Sequence, residues 1–145
     1  MKLYCCQCLT HVDARLTNGR EIYPTRYSLA RIPFWKCDTC RNYVGCHYKG
    51  DDKTKPLGSI PNRELRRARA LIHQFLDPLW YGDKHRRRVL YSLISDQLGY
   101  DYHTGNINTI EEARKVWKII QNIKRGFIYC TESDHVILDT ELQNN

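Results

Sequence analysis

Four cysteines in two pairs carry the most specific chemistry in this sequence. Cys5 and Cys8 have the C-x2-C spacing, and Cys37 and Cys40 repeat it further along the chain. This spacing lets two thiolates reach one ion from a tight turn, and two such turns complete a tetrahedral Zn²⁺ site. Because the protein fills all four coordination positions, none remains open for a substrate. We therefore predict a single structural zinc ion.

Four further side chains are able to bind a metal. They are Cys46, His47, His73 and His103. If the fold gathers them, they could hold a second metal or support acid–base chemistry, as in a metal-dependent nuclease. Their spacing follows no recognised ligand rule, and the alternative is a small buried cysteine with histidines bonded to the backbone.

The distribution of charge indicates an anionic partner. The formal net charge is +7, with 23 Lys and Arg against 16 Asp and Glu. Residues 101–145 hold more acidic than basic side chains, so the positive charge is concentrated before residue 101. Four thiolates around Zn²⁺ leave about −2 on the site and lower the total to about +5. The surface is still basic, and such a surface attracts polyanions, nucleic acid first.

Eight arginines form the candidate nucleic-acid contact. Most lie on two predicted helices, where Glu64 and Asp83 are nearly the only neighbouring acidic side chains. Guanidinium groups suit bidentate contacts with phosphate, and aromatic side chains interleaved with cations suit base stacking. The alternative is a solvated helix face, with the aromatic residues forming the core of a small zinc lobe. The eight residues are Arg41, Arg63, Arg66, Arg67, Arg69, Arg86, Arg87 and Arg88.

The cysteine pairs need short β elements to hold them. Residues 13–23 are predicted as a β-hairpin, because Asn18-Gly19 supplies the two positive-φ positions of a type I′ turn. Residues 41–47, which include the end of the second pair's turn, are predicted as a further short strand. Glycine and proline residues then predict a loop over residues 48–61, where the first lobe ends.

Three helices are predicted beyond this loop, each bounded by a capping signal. Asn62 is the N-cap of the first helix, and Gly99 follows the end of the second. Thr109 and Glu112 form a capping box at the start of the third helix, and Gly126 is its predicted end. The first helix ends near residue 77, the second covers about 84–98, and two short strands, 127–130 and 135–138, follow the third.

We predict an α+β fold, in which an N-terminal zinc-ribbon-like β lobe packs on a three-helix lobe with a short C-terminal β element. The predicted boundaries are residues 1–55 for the zinc-ribbon-like lobe, 56–126 for the helical lobe, and 127–145 for the β element and acidic tail. Zinc offsets the small core that such a short β lobe is able to build.

The sequence lacks the signals of several protein classes. There is no run of about eighteen apolar residues, and no apolar stretch follows Met1-Lys2, so we expect neither a membrane span nor a signal peptide. Seven cysteines without an export signal fit a reducing cytoplasm, where paired cysteines bind metal more often than they form disulfides. No Ser/His/Asp order, P-loop, dinucleotide fingerprint or H-E-x-x-H motif is present, so we expect a protein that is not an enzyme.

The run F-W-x-C-x2-C-x2-Y-V-G-C-H at residues 34–47 resembles a family of small zinc-finger-containing proteins of unknown function from bacteria and their phages. The likeness covers roughly residues 4–105 and implies zinc and a bacterial or phage origin, but no activity. The family's Cys-His-x-Gly element reads Tyr102-His103-Thr104-Gly105 here, which removes one potential ligand of a second metal. The other matching segments are Pro56-Leu57-Gly58 with Asn62, Leu65-Arg66 with Arg69 and His73, Asp77-x-Leu79-Trp80, and Arg88-x2-Tyr91-x-Leu93.

These observations favour a zinc-stabilised accessory protein that binds nucleic acid, DNA ahead of RNA, in the cytoplasm of a bacterial or phage-infected cell. The alternative is a protein-interaction module, such as a phage-encoded inhibitor of a host or defence complex. Its contact would be formed by the acidic tail or the aromatic residues. A metal-dependent nuclease is the third interpretation.

Overall fold

The computed structural model describes residues 1–130, with side chains up to Gly126, and it has the predicted α+β class. Antiparallel strands at the N-terminus are followed by helices. The chain forms two compact units. The first comprises Met1–Arg69 and His103–Ile110, and the second comprises Ala70–Tyr102 and the chain from Glu111 onward. The predicted lobe boundaries at residues 55 and 126 stay a prediction.

The first unit contains five short strands in two antiparallel sheets. One sheet pairs β1 with β2, and the other has the order β3-β4-β5. Cys5 is the last residue of β1 and Cys8 lies in the turn to β2, while Cys37 and Cys40 lie in the turn between β4 and β5. Each cysteine pair is therefore positioned by two hydrogen-bonded strands. The strands are β1 Lys2–Cys5, β2 Thr10–Asp13, β3 Arg15–Asn18, β4 Pro33–Lys36 and β5 Tyr43–Gly45.

The predicted hairpin over residues 13–23 is wrong, because β3 pairs with β4 instead. Asn18 caps a short helix, α1 Gly19–Ile22, and its side chain accepts a hydrogen bond from the backbone N–H of Arg20 at 3.1 Å. Gly19 is needed for space, since a Cβ atom there would lie 1.8 Å from the carbonyl oxygen of Leu29. The Asn-Gly pair thus marks a helix cap and a close backbone approach.

Two distant segments complete the first unit. Ile60 joins the edge of β1, with its N–H donating to the Tyr4 carbonyl at 2.8 Å and its own carbonyl accepting from Cys6 N–H at 2.9 Å. The Ser59 N–H donates to the carbonyl of Gly105 at 3.1 Å, which fastens residues 103–110 to this loop. The buried cluster around the cysteine turns consists of Cys5, Ala14, Cys37, Val44 and Ile60.

The three long helices begin at the predicted positions. The Asn62 side chain accepts a hydrogen bond from Leu65 N–H at 2.9 Å, and Gly99 ends α3 in the left-handed conformation at φ +84°. The helices are α2 Arg63–Leu76, α3 Lys84–Leu98 and α4 Ile110–Cys130. Buried apolar residues of the second unit include Ile72, Leu76, Leu90, Ile94, Leu98, Val116 and Ile120. Within residues 1–130, no helix combines the length and the apolar character needed to span a membrane.

The end of α4 differs from the prediction. Gly126 lies inside the helix, and Phe127–Cys130 continue it as helix where a short strand was predicted. A glycine within a helix costs only about 1 kcal/mol, so it ends a helix reliably only when it adopts the left-handed conformation. Gly126 is not among the glycines with positive φ. The second predicted strand, at residues 135–138, lies outside the described residues.

Candidate metal centre and nucleic-acid interface

The four cysteine sulfur atoms of the two turns converge on one point. All four lie within 4.8 Å of one another. The Sγ atoms of Cys5 and Cys40 are 3.4 Å apart, and those of Cys8 and Cys37 are 3.8 Å apart. A regular tetrahedron with Zn–S bonds of about 2.3 Å has sulfur atoms about 3.8 Å apart, whereas a disulfide bond is about 2 Å long. The residues fit a single zinc ion held by four thiolates.

The two turns have the same backbone design. The N–H of Leu9 donates to the carbonyl of Cys5 at 2.8 Å, and the N–H of Arg41 donates to that of Cys37 at 2.7 Å. Both donors have positive φ, +57° for Leu9 and +68° for Arg41, and no other non-glycine residue described here shares this conformation. It costs a residue with a side chain about 1–2 kcal/mol. The chain accepts this strain at the same place in both turns, directly after the second cysteine.

The environment of the site makes the thiols unequal. Burial raises the pKa of Cys5. Partial burial, together with the neighbouring thiols, raises the pKa of Cys8 to about 12. Burial also opposes ionisation of Cys40, but hydrogen bonds from the backbone and side chain of Asn42 outweigh it and lower the pKa to about 7. The Asn42 Nδ2 lies 3.2 Å from the Cys40 sulfur. Donors of this kind around a ligand orient it and stabilise its charged form.

A family model described as a zinc-finger-containing domain matches residues 2–124. The chain belongs to this family. The match includes both cysteine pairs, so the family and the geometry agree on one zinc site in this zinc-finger domain. Searches of curated proteins and of solved structures returned no match.

An ion network ties the second cysteine turn of the zinc-finger domain to β3. Arg15 makes a bidentate contact with Asp38, at 2.8 Å from Nε and 2.9 Å from a terminal nitrogen. Arg15 also binds Glu21, which accepts a further bond from Lys36 at 2.8 Å. Hydrogen bonds from Arg15 lower the pKa of Asp38. Because these groups are largely solvent-exposed, the network positions the turn more than it stabilises the fold.

The candidate second metal site is not assembled. Cys46 is buried directly after β5, and burial raises the pKa of its thiol. His47 and His103 are exposed, and His73 on α2 contacts Asp77 instead. In residues 1–130, only the four turn cysteines form a group of three or more His, Cys, Asp or Glu side chains able to hold one ion.

Arg69 is a correction to the predicted nucleic-acid surface. Its side chain is only 8% exposed. The guanidinium donates to the carbonyl of Ile107 at 2.8 and 3.1 Å, and to the carbonyl and hydroxyl of Ser59 at 2.9 and 2.6 Å. Arg69 therefore joins residues 103–110 to the loop that precedes α2. The other predicted arginines are half-buried, as Arg66 and Arg86 are, or exposed, as are Arg41, Arg63, Arg67, Arg87 and Arg88.

One arrangement of the first unit was not predicted, and we call it the arginine–tyrosine array. It consists of Arg26, Tyr23, Tyr43 and Arg66. Arg66 lies 4.1 Å from the Tyr43 ring centroid and Arg26 lies 5.5 Å from that of Tyr23, while the two tyrosine hydroxyls are hydrogen-bonded at 2.6 Å. Burial and the Tyr23 hydroxyl raise the pKa of Tyr43 to about 12, so the Tyr43 hydroxyl stays protonated. The sequence signal for this array was the interleaving of aromatic and cationic residues. It could not pair Tyr23 with Tyr43, because the two lie twenty residues apart in the chain.

Proposed function

We propose that this zinc-finger domain binds nucleic acid, DNA ahead of RNA, as a non-enzymatic accessory protein in the cytoplasm of a bacterial or phage-infected cell. The observation that carries the proposal is the arginine–tyrosine array. Two cations lie over two linked rings on the surface of a unit built around the zinc site. The formal net charge of +7, about +5 once zinc is bound, adds the long-range attraction that such a partner requires.

The position of the Arg66 guanidinium over the Tyr43 ring favours phosphate binding. A guanidinium that rests its face on a ring keeps its N–H edge free for a planar, bidentate contact. Among the described residues, the edge of Arg66 makes only long bonds, 3.4 Å to the Asn42 side chain and 3.5 Å to the Pro61 carbonyl. A phosphate oxygen would make shorter, charge-assisted bonds in their place. Exposed Arg63 and Arg67 on the same helix add further cations.

Zinc is connected to this surface through β5. Tyr43 is the first residue of that strand, and Asn42, which precedes it, holds both the Cys40 sulfur and Arg66. We expect removal of zinc to release the array together with the cysteine turn. Nucleic-acid binding should therefore require bound zinc, although the ion makes no contact with the ligand.

The test is fluorescence anisotropy of zinc-loaded protein with labelled DNA and RNA over a range of salt concentrations. We expect log K to fall linearly with log salt, with a slope of about −0.7 to −0.9 for each phosphate neutralised. Arg66→Ala and Arg66→Lys should both weaken binding, because lysine keeps the charge but not the planar stack. Arg114→Ala, at an exposed arginine of α4, is the control for the loss of one positive charge.

Two results would contradict the proposal. One is the absence of binding to every DNA and RNA tested, and the other is binding that salt does not weaken. Equal effects of Arg66→Ala and Arg114→Ala would leave nucleic-acid binding intact but remove the array as its site.

A protein-interaction module, such as a phage-encoded inhibitor of a host or defence complex, is the second candidate. The observation that favours it is an apolar patch on the second unit. Leu71 is 50% exposed and Phe75 is 36% exposed, with the Phe75 ring edge-on to Trp117 at 4.6 Å. Capture of a bacterial protein from nuclease-treated lysate, lost in a Leu71→Ser, Phe75→Ser variant, would support this candidate. The third interpretation, a metal-dependent nuclease, would need a second metal site, and the described residues contain no second group of side chains able to hold a metal ion.

A further inference from the structure

An open cavity of about 520 Å³ lies at the C-terminal end of α2 in the second unit. A 3₁₀ turn, Asp77–Leu79, follows α2 directly and leads to Trp80 and Tyr81. The cavity combines apolar and polar side chains, as small-molecule sites do. Its lining residues are Ala70, His73, Gln74, Asp77, Pro78 and Tyr81.

The orientation of His73 is set by its neighbours. Its Nδ1 lies 3.3 Å from Oδ1 of Asp77, and the indole N–H of Trp80 donates to the same oxygen at 3.3 Å. A carboxylate only accepts hydrogen bonds, so Nδ1 of His73 carries the proton. The Nε2 atom has no hydrogen-bond partner among the described residues, and in the neutral ring it is an acceptor. The carboxylate thus orients His73, a lining residue of the cavity, through its Nδ1.

Two further polar groups of the cavity have no hydrogen bond to any residue in the described part of the chain. They are the side-chain amide of Gln74 and the hydroxyl of Tyr81. The Tyr81 side chain is 87% exposed, although its backbone lies in an ordered turn in which Asp83 N–H donates to the Trp80 carbonyl at 2.8 Å. A tyrosine, a glutamine and a histidine, each with a polar side-chain atom that has no partner among the described residues, therefore line one space.

Cations follow this cavity closely in the chain. Helix α3 begins at Lys84, three residues after Tyr81, and its first turns carry Arg86, Arg87 and Arg88. Arg87 lies 4.2 Å from the Tyr91 ring centroid and 5.4 Å from that of Trp80. Stacked in this way, its guanidinium is suited to phosphate for the same reason as that of Arg66.

We propose that the cavity binds a nucleobase, and that the zinc-finger domain therefore prefers single-stranded to duplex nucleic acid. The base stacks on Tyr81, the Gln74 amide and His73 Nε2 hydrogen-bond its edge, and the cations of α3 contact the flanking phosphates. A base paired in a duplex has neither a free face nor a free Watson–Crick edge for these contacts. This specificity rests on the nucleic-acid binding proposed above.

The test compares four labelled probes with the full-length, zinc-loaded protein. They are a twelve-nucleotide single strand, its duplex, an abasic strand of the same length, and adenosine monophosphate. We expect the single strand to bind most tightly. Tyr81→Ala should weaken it about five- to hundredfold, the range for losing one base–aromatic stack, and Gln74→Ala should weaken it less. Binding of the monophosphate that is lost in Tyr81→Ala would show that a free nucleotide is also a ligand.

Tyr27→Ala is the matched control, because Tyr27 has the same 87% exposure but does not line the cavity. It should change binding less than twofold. Unchanged single-strand affinity in Tyr81→Ala, equal losses in the two tyrosine variants, or equal affinity for the normal and abasic strands would each overturn the cavity as a base site. In those cases salt-dependent binding would still support the proposed function, whereas no binding to any probe would overturn both.

Discussion

Two cysteines of the zinc site ionise at different pH. Cys40 and Cys8 occupy the same position in their respective turns, yet the pKa of Cys40 is lowered to about 7 and that of Cys8 is raised to about 12. Backbone and amide donors of Asn42 contribute most to lowering the Cys40 pKa, and hydrogen bonds with Cys5 and Cys37 add to it, whereas burial and the neighbouring thiols raise the pKa of Cys8. Asn42, two positions beyond one cysteine pair, thus contributes to an electrostatic difference between two turns of the same backbone design.

These values predict how zinc affinity depends on pH. Zinc binds thiolates, so every thiol that is protonated in the free site must release a proton. Cys5 and Cys8 have raised pKa values and should each release one near pH 8, which gives at least about a hundredfold rise in affinity per pH unit. Below pH 7, Cys40 is also protonated in the free site, so zinc binding releases a third proton. The affinity should then change by a further factor of about ten per pH unit. Competition with a chelator of known protonation from pH 5.5 to 8.5 measures both slopes.

Asn42→Ala is the control for this assignment. Loss of the amide donor should raise the pKa of Cys40 and move the change of slope to higher pH, while one zinc per chain is retained. A change of slope at the same pH in wild type and variant would contradict the role of Asn42.

Arg66 and Arg69, three positions apart on α2, differ in burial, the first half-buried and the second buried. In the structure the buried positions of α2 are Leu65, Arg69, Ile72 and Leu76, spaced four, three and four residues apart. Arg69 lies on that face because carbonyl groups of distant loops receive its guanidinium. Helical periodicity cannot reveal such acceptors, since they come from residues 59 and 107.

Among the elements, two loops approach each other more closely than side chains permit. A Cβ atom on Gly58 would lie 1.9 Å from the carbonyl oxygen of Gly105, and one on Gly105 would lie 2.0 Å from that of Leu57. These are contacts with backbone, which cannot rotate away as a flexible side chain can. The glycine pair therefore allows residues 103–110 to dock on the loop that follows β5. Both glycines lie in segments that carry the family resemblance.

We expect Gly105→Ala to lower the free energy of unfolding by about 2–4 kcal/mol, because the added methyl group forces the two loops apart. Gly126→Ala is the matched control. It adds the same methyl group inside α4, where nothing lies within 4 Å of the new atom, and should raise stability by about 0.5–1 kcal/mol. Denaturant unfolding measures both. Equal effects of the two substitutions would contradict the close contact of the loops.

For the whole molecule, the two compact units differ in what stabilises them. The first surrounds the zinc site with a cluster in which Ala14, Val44 and Ile60 pack with Cys5 and Cys37, and it also buries Phe34, Leu65 and Ile107. Apparent binding energies of structural zinc reach about 10–16 kcal/mol, as much as the total stability of a typical domain. The second unit buries aliphatic side chains of three helices and contains no residue of the zinc site.

We therefore expect zinc removal to unfold the first unit before the second. In hydrogen exchange, β1–β5 should lose protection after chelation, while α3 and residues 111–126 of α4 retain it. Within α2, residues 63–69 should lose protection and residues 70–76 should retain it, because the former belong to the first unit and the latter to the second. The zinc-free variant Cys37→Ser should reproduce the pattern. Equal loss of protection in both units would show that they unfold as one.

The sequence by itself determined the zinc ligands and the starts of the three long helices. Those features depend on local spacing: two cysteines in one turn, or a capping residue beside its helix. The tertiary structure alone decided that β3 pairs with β4, that Arg69 is buried while Arg66 stacks on Tyr43, and that His73, Gln74 and Tyr81 border one cavity. Strand pairing and the loops around Arg69 join residues distant in the chain. The cavity depends on how the chain turns after α2. Local sequence propensity therefore cannot predict the strand pairing, the burial of Arg69 or the cavity.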